Sequence, residues 1–124
     1  MKISTKGRYA IKLMLDLALY SKGQPVKIKE IAKRQGISEK YLEQIVATLN
    51  KAALVKSIRG SHGGYMLSEP PRNYTVGRIL RTMEGNLSPT DCVGANGWPC
   101  ENKATCVSLI IWKKLDEAIN GVLE

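Results

Sequence analysis

The stretch from Ile28 to Leu67 constrains the fold of this chain more than any other. Ile28, Ile31 and Ala32 recur at helical spacing, and Tyr41, Leu42 and Ile45 recur the same way a little further on. Between the two runs stand Gly36, Ile37 and Ser38. Ala32 lies one helical turn before Gly36, which suits two helices meeting closely at a short turn. Ala32 leaves room for the crossing, and Gly36 can take the left-handed conformation that other residues resist. Ser38 is a good N-cap for the second helix. Helices are therefore predicted at about 28–35 and 39–52. Val55-Lys-Ser-Ile-Arg59, Gly60-Ser-His-Gly-Gly64 and Tyr65-Met-Leu67 then read as strand, flexible tip and strand. A helix-turn-helix followed by such a wing is a DNA-reading unit.

Charge agrees with that expectation. The formal net charge is +8, and it is unevenly placed. Residues 1–60 carry 13 Lys/Arg against 4 Asp/Glu, and the remainder carry 6 against 7. The excess sits on the half that would face phosphates, where it would release counterions from the duplex. The N-terminus lacks the apolar core of a secretory signal, and no apolar run approaches the roughly 20 residues that span a bilayer. The longest, Leu13 to Leu19, is broken by Asp16. A cytoplasmic protein without membrane association is expected.

Around the reading unit, Thr5 to Ser21 is predicted helical. Ala10, Leu13, Met14, Leu17 and Ala18 form one apolar face, and Ile11, Leu15 and Leu19 form a second. Pro70-Pro71 breaks the chain after the wing. Thr75 caps a shorter helix through about Met83, and Gly85 ends it. A last helix is expected from about Cys106, with Trp112, Leu115, Ile119 and Val122 along it. A domain this small cannot cover two apolar sides of both its first and last helices, so a homodimer joined through the last helix is expected. The predicted fold class is mainly α with a small β-hairpin wing: a winged helix-turn-helix plus a long C-terminal dimerisation helix. Residues 1–84 form the DNA-binding region, 85–105 a cysteine-containing loop and 106–124 the dimerisation helix, within one structural domain.

The cysteines all fall in that loop and its edge: Cys92, Cys100 and Cys106, spaced C-x7-C-x5-C among glycines, asparagines and a proline. Clustered thiolates in a cytosolic chain favour a soft metal or an iron–sulfur cluster, and an odd number argues against a closed disulfide framework. Zinc would want a fourth Cys or His close by and the tight C-x2-C knuckles that are missing. A redox thiol pair and three unrelated thiols are the remaining readings. An iron–sulfur cluster is the strongest of the four.

Three motifs then carry a resemblance. Lys6-Gly-Arg-Tyr-Ala10, Gln35-Gly-Ile-Ser38 with Tyr41-Leu-Glu-Gln44, and Arg59-Gly-Ser-His-Gly-Gly-Tyr65 resemble the IscR/NsrR family of bacterial winged-helix regulators, the Rrf-two type, most closely its IscR branch. The resemblance spans essentially the whole chain. It implies a dimeric transcription regulator that binds a double-stranded DNA operator. It also implies a cluster on Cys92, Cys100 and Cys106, 2Fe–2S in the IscR branch or 4Fe–4S in the nitric-oxide-sensing branch. Two departures stand out. The first gap is longer than IscR-like chains carry, and the position where they place a ligating His is Leu109. The nitric-oxide sensors use a carboxylate near the partner's N-terminus, whereas this chain has Arg8 and no Asp or Glu before Asp16. Asp91, Ser108, the partner's Asp16 or an exchangeable solute are the remaining fourth-ligand candidates.

Within the reading unit, Ser38, Glu39, Lys40, Tyr41, Glu43 and Gln44 occupy the N-terminal turns that reach base edges. Gln44 can pair with adenine and Glu43 can accept from cytosine N4. Lys40 and Lys51 are expected at phosphates. Arg59, with Gly60 and Ser61 at the wing tip, is the choice for minor-groove insertion. Tyr65 reads as wing packing, and His62 as a phosphate neighbour or simply a solvated residue. No paired acid–base arrangement or phosphate-cradling glycine turn is present, so an enzyme is not expected and no small-molecule substrate is implied. The competing functional reading is a cluster-free regulator controlled by thiol oxidation or by a partner protein of cysteine metabolism.

Overall fold

The structure, a computed structural model, describes residues 2–93 and 106–124. The elements run α1 (Thr5–Tyr20), α2 (Ile28–Gln35), α3 (Glu39–Lys51), β1 (Val55–Ile58), β2 (Gly64–Leu67), a single 3₁₀ turn at Pro71–Asn73, α4 (Val76–Glu84) and α5 (Leu109–Leu123). The mainly helical fold with a hairpin wing is as the sequence predicts.

Ala10, Leu13, Met14 and Leu17 of α1 are buried, facing Ile31 of α2, Leu42, Ile45, Val46 and Leu49 of α3, Leu54 and Val55 at the start of the wing, and Ile79 of α4. Each fully buried Leu or Ile contributes about 1.5–3 kcal/mol relative to exposure, so this cluster dominates stability. The other side of α1 stays open: Leu15 and Leu19 are 55% and 64% exposed.

Local chemistry sets the element ends. Ser4 accepts a hydrogen bond from the Gly7 N–H at 3.1 Å, Ser38 from Tyr41 N–H at 3.2 Å and Thr75 from Arg78 N–H at 3.0 Å, so three helices start at hydroxyl caps. Helix α2 stops at Gly36 (φ 66, ψ 35), and the N–H groups of Gly36 and Ile37 both reach the Ala32 carbonyl. That is a left-handed C-terminal cap, with buried Ile37 as its apolar anchor. Helix α3 ends at Lys51 rather than 52, because Ala53 takes a left-handed φ of 61 and Leu54 N–H closes onto Leu49 O. Helix α5 begins at Leu109 rather than near Cys106; residues 107–108 form a turn.

The wing pairs antiparallel with register Val55↔Leu67, Lys56↔Met66, Ser57↔Tyr65 and Ile58↔Gly64. Val26 pairs with the other edge of β2 as a single bridge, through reciprocal bonds with Tyr65 of 2.9 and 2.8 Å. Gly64 makes that bridge fit, since its φ is 152 and a Cβ there would strike the Val26 backbone. The Tyr74 hydroxyl closes the base of the wing: it donates to Leu54 O at 2.6 Å and accepts from Ser68 and Glu69 N–H at 3.1 Å each.

Among the described residues, one charged side chain is completely buried. The Asp16 carboxylate on α1 is 0% exposed. It accepts from Arg34 Nε (3.0 Å) and Arg34 Nη2 (2.8 Å), and from Gln35 Nε2 (2.9 Å). The Arg34 guanidinium stacks on Tyr20, 4.5 Å from its ring centre, and its side chain is 31% exposed. Asp16 therefore joins the core helix to the last two residues before the turn, and as a fully buried, committed carboxylate it drops out as a cluster ligand.

This asymmetry of exposure makes a prediction. Arg34→Ala leaves a buried carboxylate with the Gln35 amide alone and should cost about 3–5 kcal/mol. Asp16→Asn leaves an Arg34 that water can still reach, and should cost distinctly less. Urea unfolding at neutral pH checks the pair, and equal losses would contradict the assignment of Asp16 as the desolvated partner.

Candidate nucleic-acid interface

Helix α3 divides cleanly. Leu42, Ile45, Val46 and Leu49 point into the core, and Glu39, Lys40, Glu43, Gln44, Ala47, Thr48 and Lys51 are exposed. Residues 40, 43, 44, 47 and 51 follow the spacing of one helix face, so the polar residues singled out in the sequence share an open surface. Ala47 and Thr48 belong to that surface too. They went unremarked in the sequence although the same periodicity reaches them. Ser38 is exposed but its oxygen already caps the helix, which leaves its hydroxyl hydrogen free to donate. Tyr41 is half-buried, with its ring edge-on to Tyr9 of α1 at 5.6 Å and 78°. Part of Tyr41 is therefore packing.

At the wing, Arg59, Gly60, Ser61 and His62 are all exposed at the tip. Lys56 and Ser57 are exposed on β1, whereas Val55 is buried. Tyr65 packs against the core and pairs with Val26, as expected of a wing residue. The arrangement presents an open helix face and an open, cationic hairpin tip on a chain whose positive charge lies in the same half.

The cysteines divide differently. Cys92 is half-buried in the turn after α4, its sulfur 3.1 Å from Thr90 Oγ1. Cys106 is exposed ahead of α5, its sulfur 3.1 Å from Ser108 Oγ. Cys100 lies outside the described residues. Among the described residues, no group of three or more Cys, His, Asp or Glu is gathered as a metal site. The Ser108 hydroxyl, followed by the Leu109 N–H, holds the Cys106 thiol below its ordinary value. Ser108 makes no side-chain cap bond to α5; its hydroxyl serves the sulfur instead. Leu109, at the position where IscR-like chains place His, is buried. Asp91 is exposed beside Cys92.

A family model described as Rrf2, iron-dependent transcriptional regulator, matches residues 3–124. The chain belongs to the Rrf2 family. It is 40% identical over 123 residues to the HTH-type transcriptional regulator IscR of Serratia proteamaculans, covering 99% of this chain and 74% of that protein. Among solved structures it is similar to CymR, the global cysteine regulator of B. subtilis, with a TM-score of 0.80 and 41% identity over 99% of this chain and 89% of the other. It is similar in the same degree to T. potens IscR, with a TM-score of 0.77 and 43% identity over 99% and 80%. The chain is thus an IscR-like transcriptional regulator of the Rrf2 family, a group of DNA-binding regulators and not of enzymes. No helix among the described residues is long and apolar enough to cross a membrane.

The lowered Cys106 thiol has a testable consequence. A depressed pKa puts more thiolate at neutral pH, so removing its cause should raise the pKa and lower the thiolate fraction. In metal-free, reduced protein, Ser108→Ala should slow alkylation of the Cys106 peptide at pH 7. It should also shift the midpoint of the rate–pH profile upward, as followed by mass spectrometry. An unmoved midpoint would remove Ser108 as the cause.

Proposed function

We propose that this Rrf2 regulator reads a two-fold operator as a homodimer, with α3 in the major groove and the wing tip in the adjacent minor groove. Its DNA affinity is set by an iron–sulfur cluster held on Cys92, Cys100 and Cys106. The observation that carries the DNA reading is the open face of α3, where Lys40, Glu43, Gln44 and Lys51 stand clear of the core that fixes the helix. Gln44 and Glu43 are the base-reading residues, with Ser38, Glu39 and the outer edge of Tyr41 beside them; Lys40 and Lys51 meet phosphates. Glu43 repels the backbone unless its base partner is correct, so it contributes selectivity more than affinity. Arg59, flanked by Gly60 and Ser61, enters a narrow A·T groove.

The homodimer reading rests on unpartnered apolar surface. Ile110, Ile111, Leu115 and Val122 of α5 are exposed. Leu15 and Val76 line an open apolar groove of about 170 Å³ between α1 and α4. Surface of this kind on a small regulator marks a protein interface.

For the cluster, the support is the donor chemistry. Two free thiols each have a hydroxyl at hydrogen-bonding distance, the kind of outer contact that steadies a thiolate ligand, and the third cysteine lies between them in sequence. A cluster, when bound, supplies a centre that oxidants, nitric oxide or iron shortage can dismantle. With Leu109 buried, the protein offers no histidine at the fourth position, and an incompletely protein-ligated cluster would be labile. That labile character suits sensing. The second reading, a cluster-free regulator that responds through thiol oxidation or a partner protein, is favoured by the equal likeness to CymR and by the exposed, acidified Cys106.

Anaerobic purification with iron and sulfide analysis separates the two. About two irons per monomer with matching sulfide, lost when any one cysteine becomes Ala, is the expected result. An iron-free protein that binds DNA with all three cysteines replaced would leave the partner-controlled regulator. For the interface, Arg59→Ala should cost about 1–3 kcal/mol in duplex binding, and Glu43→Ala should narrow the affinity gap between duplexes of different sequence. Unchanged binding and unchanged discrimination would take both residues off the contact surface.

A further inference from the structure

The first helix carries cations that the reading unit does not account for. Residues 1–15 contain Lys2, Lys6, Arg8 and Lys12 and no acidic residue, and all four are exposed. None of the ion pairs among the described residues, which join Asp16 to Arg34, Glu69 to Arg78 and Glu124 to Arg81, uses any of them. Two of the four, Arg8 and Lys12, lie one turn apart and so share a side of α1. Like charges at that spacing destabilise a helix by about 0.2–0.5 kcal/mol, an arrangement that solvation alone does not call for.

Their position relative to α3 is fixed by contacts. Lys12 Nζ lies 5.5 Å from the Tyr9 ring centre, and Tyr9 meets Tyr41 of α3 edge-on. Further along the same face of α1, Asp16 is held by Arg34 and Gln35. Lys12 therefore stands beside the opening turns of α3, on a helix tied to the turn at one point and to the reading helix at another. A cation so placed needs no conformational adjustment to meet a duplex whose groove α3 enters.

We infer that Arg8 and Lys12 form a clamp on the phosphodiester backbone flanking the groove entered by α3, so that α1 extends the footprint beyond the helix-turn-helix and wing. The inference rests on the DNA reading above. The partner is the phosphate chain and not the bases: α1 approaches from outside the groove, and the two cations offer charge without a base-reading hydrogen-bond pattern.

Salt dependence tests it. Wild type, Arg8→Gln, Lys12→Gln and the double variant are titrated against a short mixed-sequence duplex and an A·T-rich duplex over a range of potassium chloride concentrations. Each lost phosphate contact should flatten the log–log slope by about 0.9, so the double variant should lose about 1.8, with affinity falling in the same proportion for both duplexes. Lys12→Arg should restore the slope. Thermal melting serves as the folding control, since both side chains are exposed. Slopes unchanged in the double variant, while Arg59→Ala still weakens binding, would overturn the clamp and leave the DNA reading intact. A wild type that binds neither duplex would overturn both.

Discussion

A buried carboxylate governs the geometry of the reading unit. Asp16 sits in the middle of the core helix, and its oxygens are taken up by three N–H donors from Arg34 and Gln35, the residues immediately before the Gly36 turn. Burying an ion pair returns little net stability, because desolvation offsets most of the attraction; apolar packing of Leu13, Leu17, Ile31, Leu42, Ile45 and Leu49 supplies the bulk of it. What the pair adds is direction. An apolar contact tolerates sliding by an ångström, whereas a two-pronged guanidinium–carboxylate contact with an amide beside it does not. The turn between α2 and α3 is therefore held at one place against α1, and the open face of α3 inherits that placement. Tyr20, stacked on Arg34, limits the remaining freedom of the guanidinium and screens one of its faces from water.

The wing obeys the same logic with neutral groups. Its two strands are only four residues each, and an isolated hairpin of that size is marginal in water. Two additions hold the strands: the Val26 bridge to Tyr65, possible because position 64 is glycine, and the Tyr74 hydroxyl at the base, which satisfies a carbonyl and two N–H groups at once. The tyrosine acts at the root, and the Val26 bridge acts beside the last rungs before the tip. The tip from Arg59 to His62 is left exposed and free of them, so an anchored stem carries an adaptable end, as a groove-probing side chain requires.

Local signals made most of this fold legible in the sequence. Gly36, Ser38 and Thr75 announced the turn and caps because their chemistry is short-range: a left-handed φ, or a hydroxyl within three residues of the N–H it accepts from. The split of α3 into an open and a buried face followed from periodicity alone. The Asp16 clamp was illegible, since its partners lie 18 and 19 residues away and a lone acid in an apolar run looks like an interruption or a spare ligand. The end of α3 was obscured for the opposite reason: Ala53, intrinsically a helix former, takes the left-handed position where glycine is the usual signal. The start of α5 lies three residues later than expected because residues 107–108 form a turn, and the Ser108 hydroxyl, on the Cys106 sulfur, leaves no capping pattern to mark it. The role of Tyr9 in linking α1 to Tyr41 is likewise tertiary and left no pattern to find.

Helix α4 links the cap of α1 to α5. The Glu84 carboxylate, at the last residue of α4, accepts from the Ser4 N–H at 2.9 Å and from the Ser4 hydroxyl. It lies so close to position 7 that a Cβ there would push the carboxylate off its Ser4 contacts. One turn earlier, Arg81 bonds Asn120 Oδ1 at 2.9 Å and pairs with Glu124 at the far end of α5. The segment bearing the cysteines leaves α4 directly after Glu84 and rejoins the described chain just before α5. Its two attachment points thus adjoin the helix that touches Tyr41 and the helix with the open apolar face. On the proposed reading, a change in that segment bears on reading helix and dimer surface through short, stiff links. Stiffness by itself does not make a switch. The two states of the segment must differ in their free energy of DNA binding, and α4 offers two routes for such a difference: the Ser4–Glu84 contact and the packing of Ile79 in the core shared by α1 and α3.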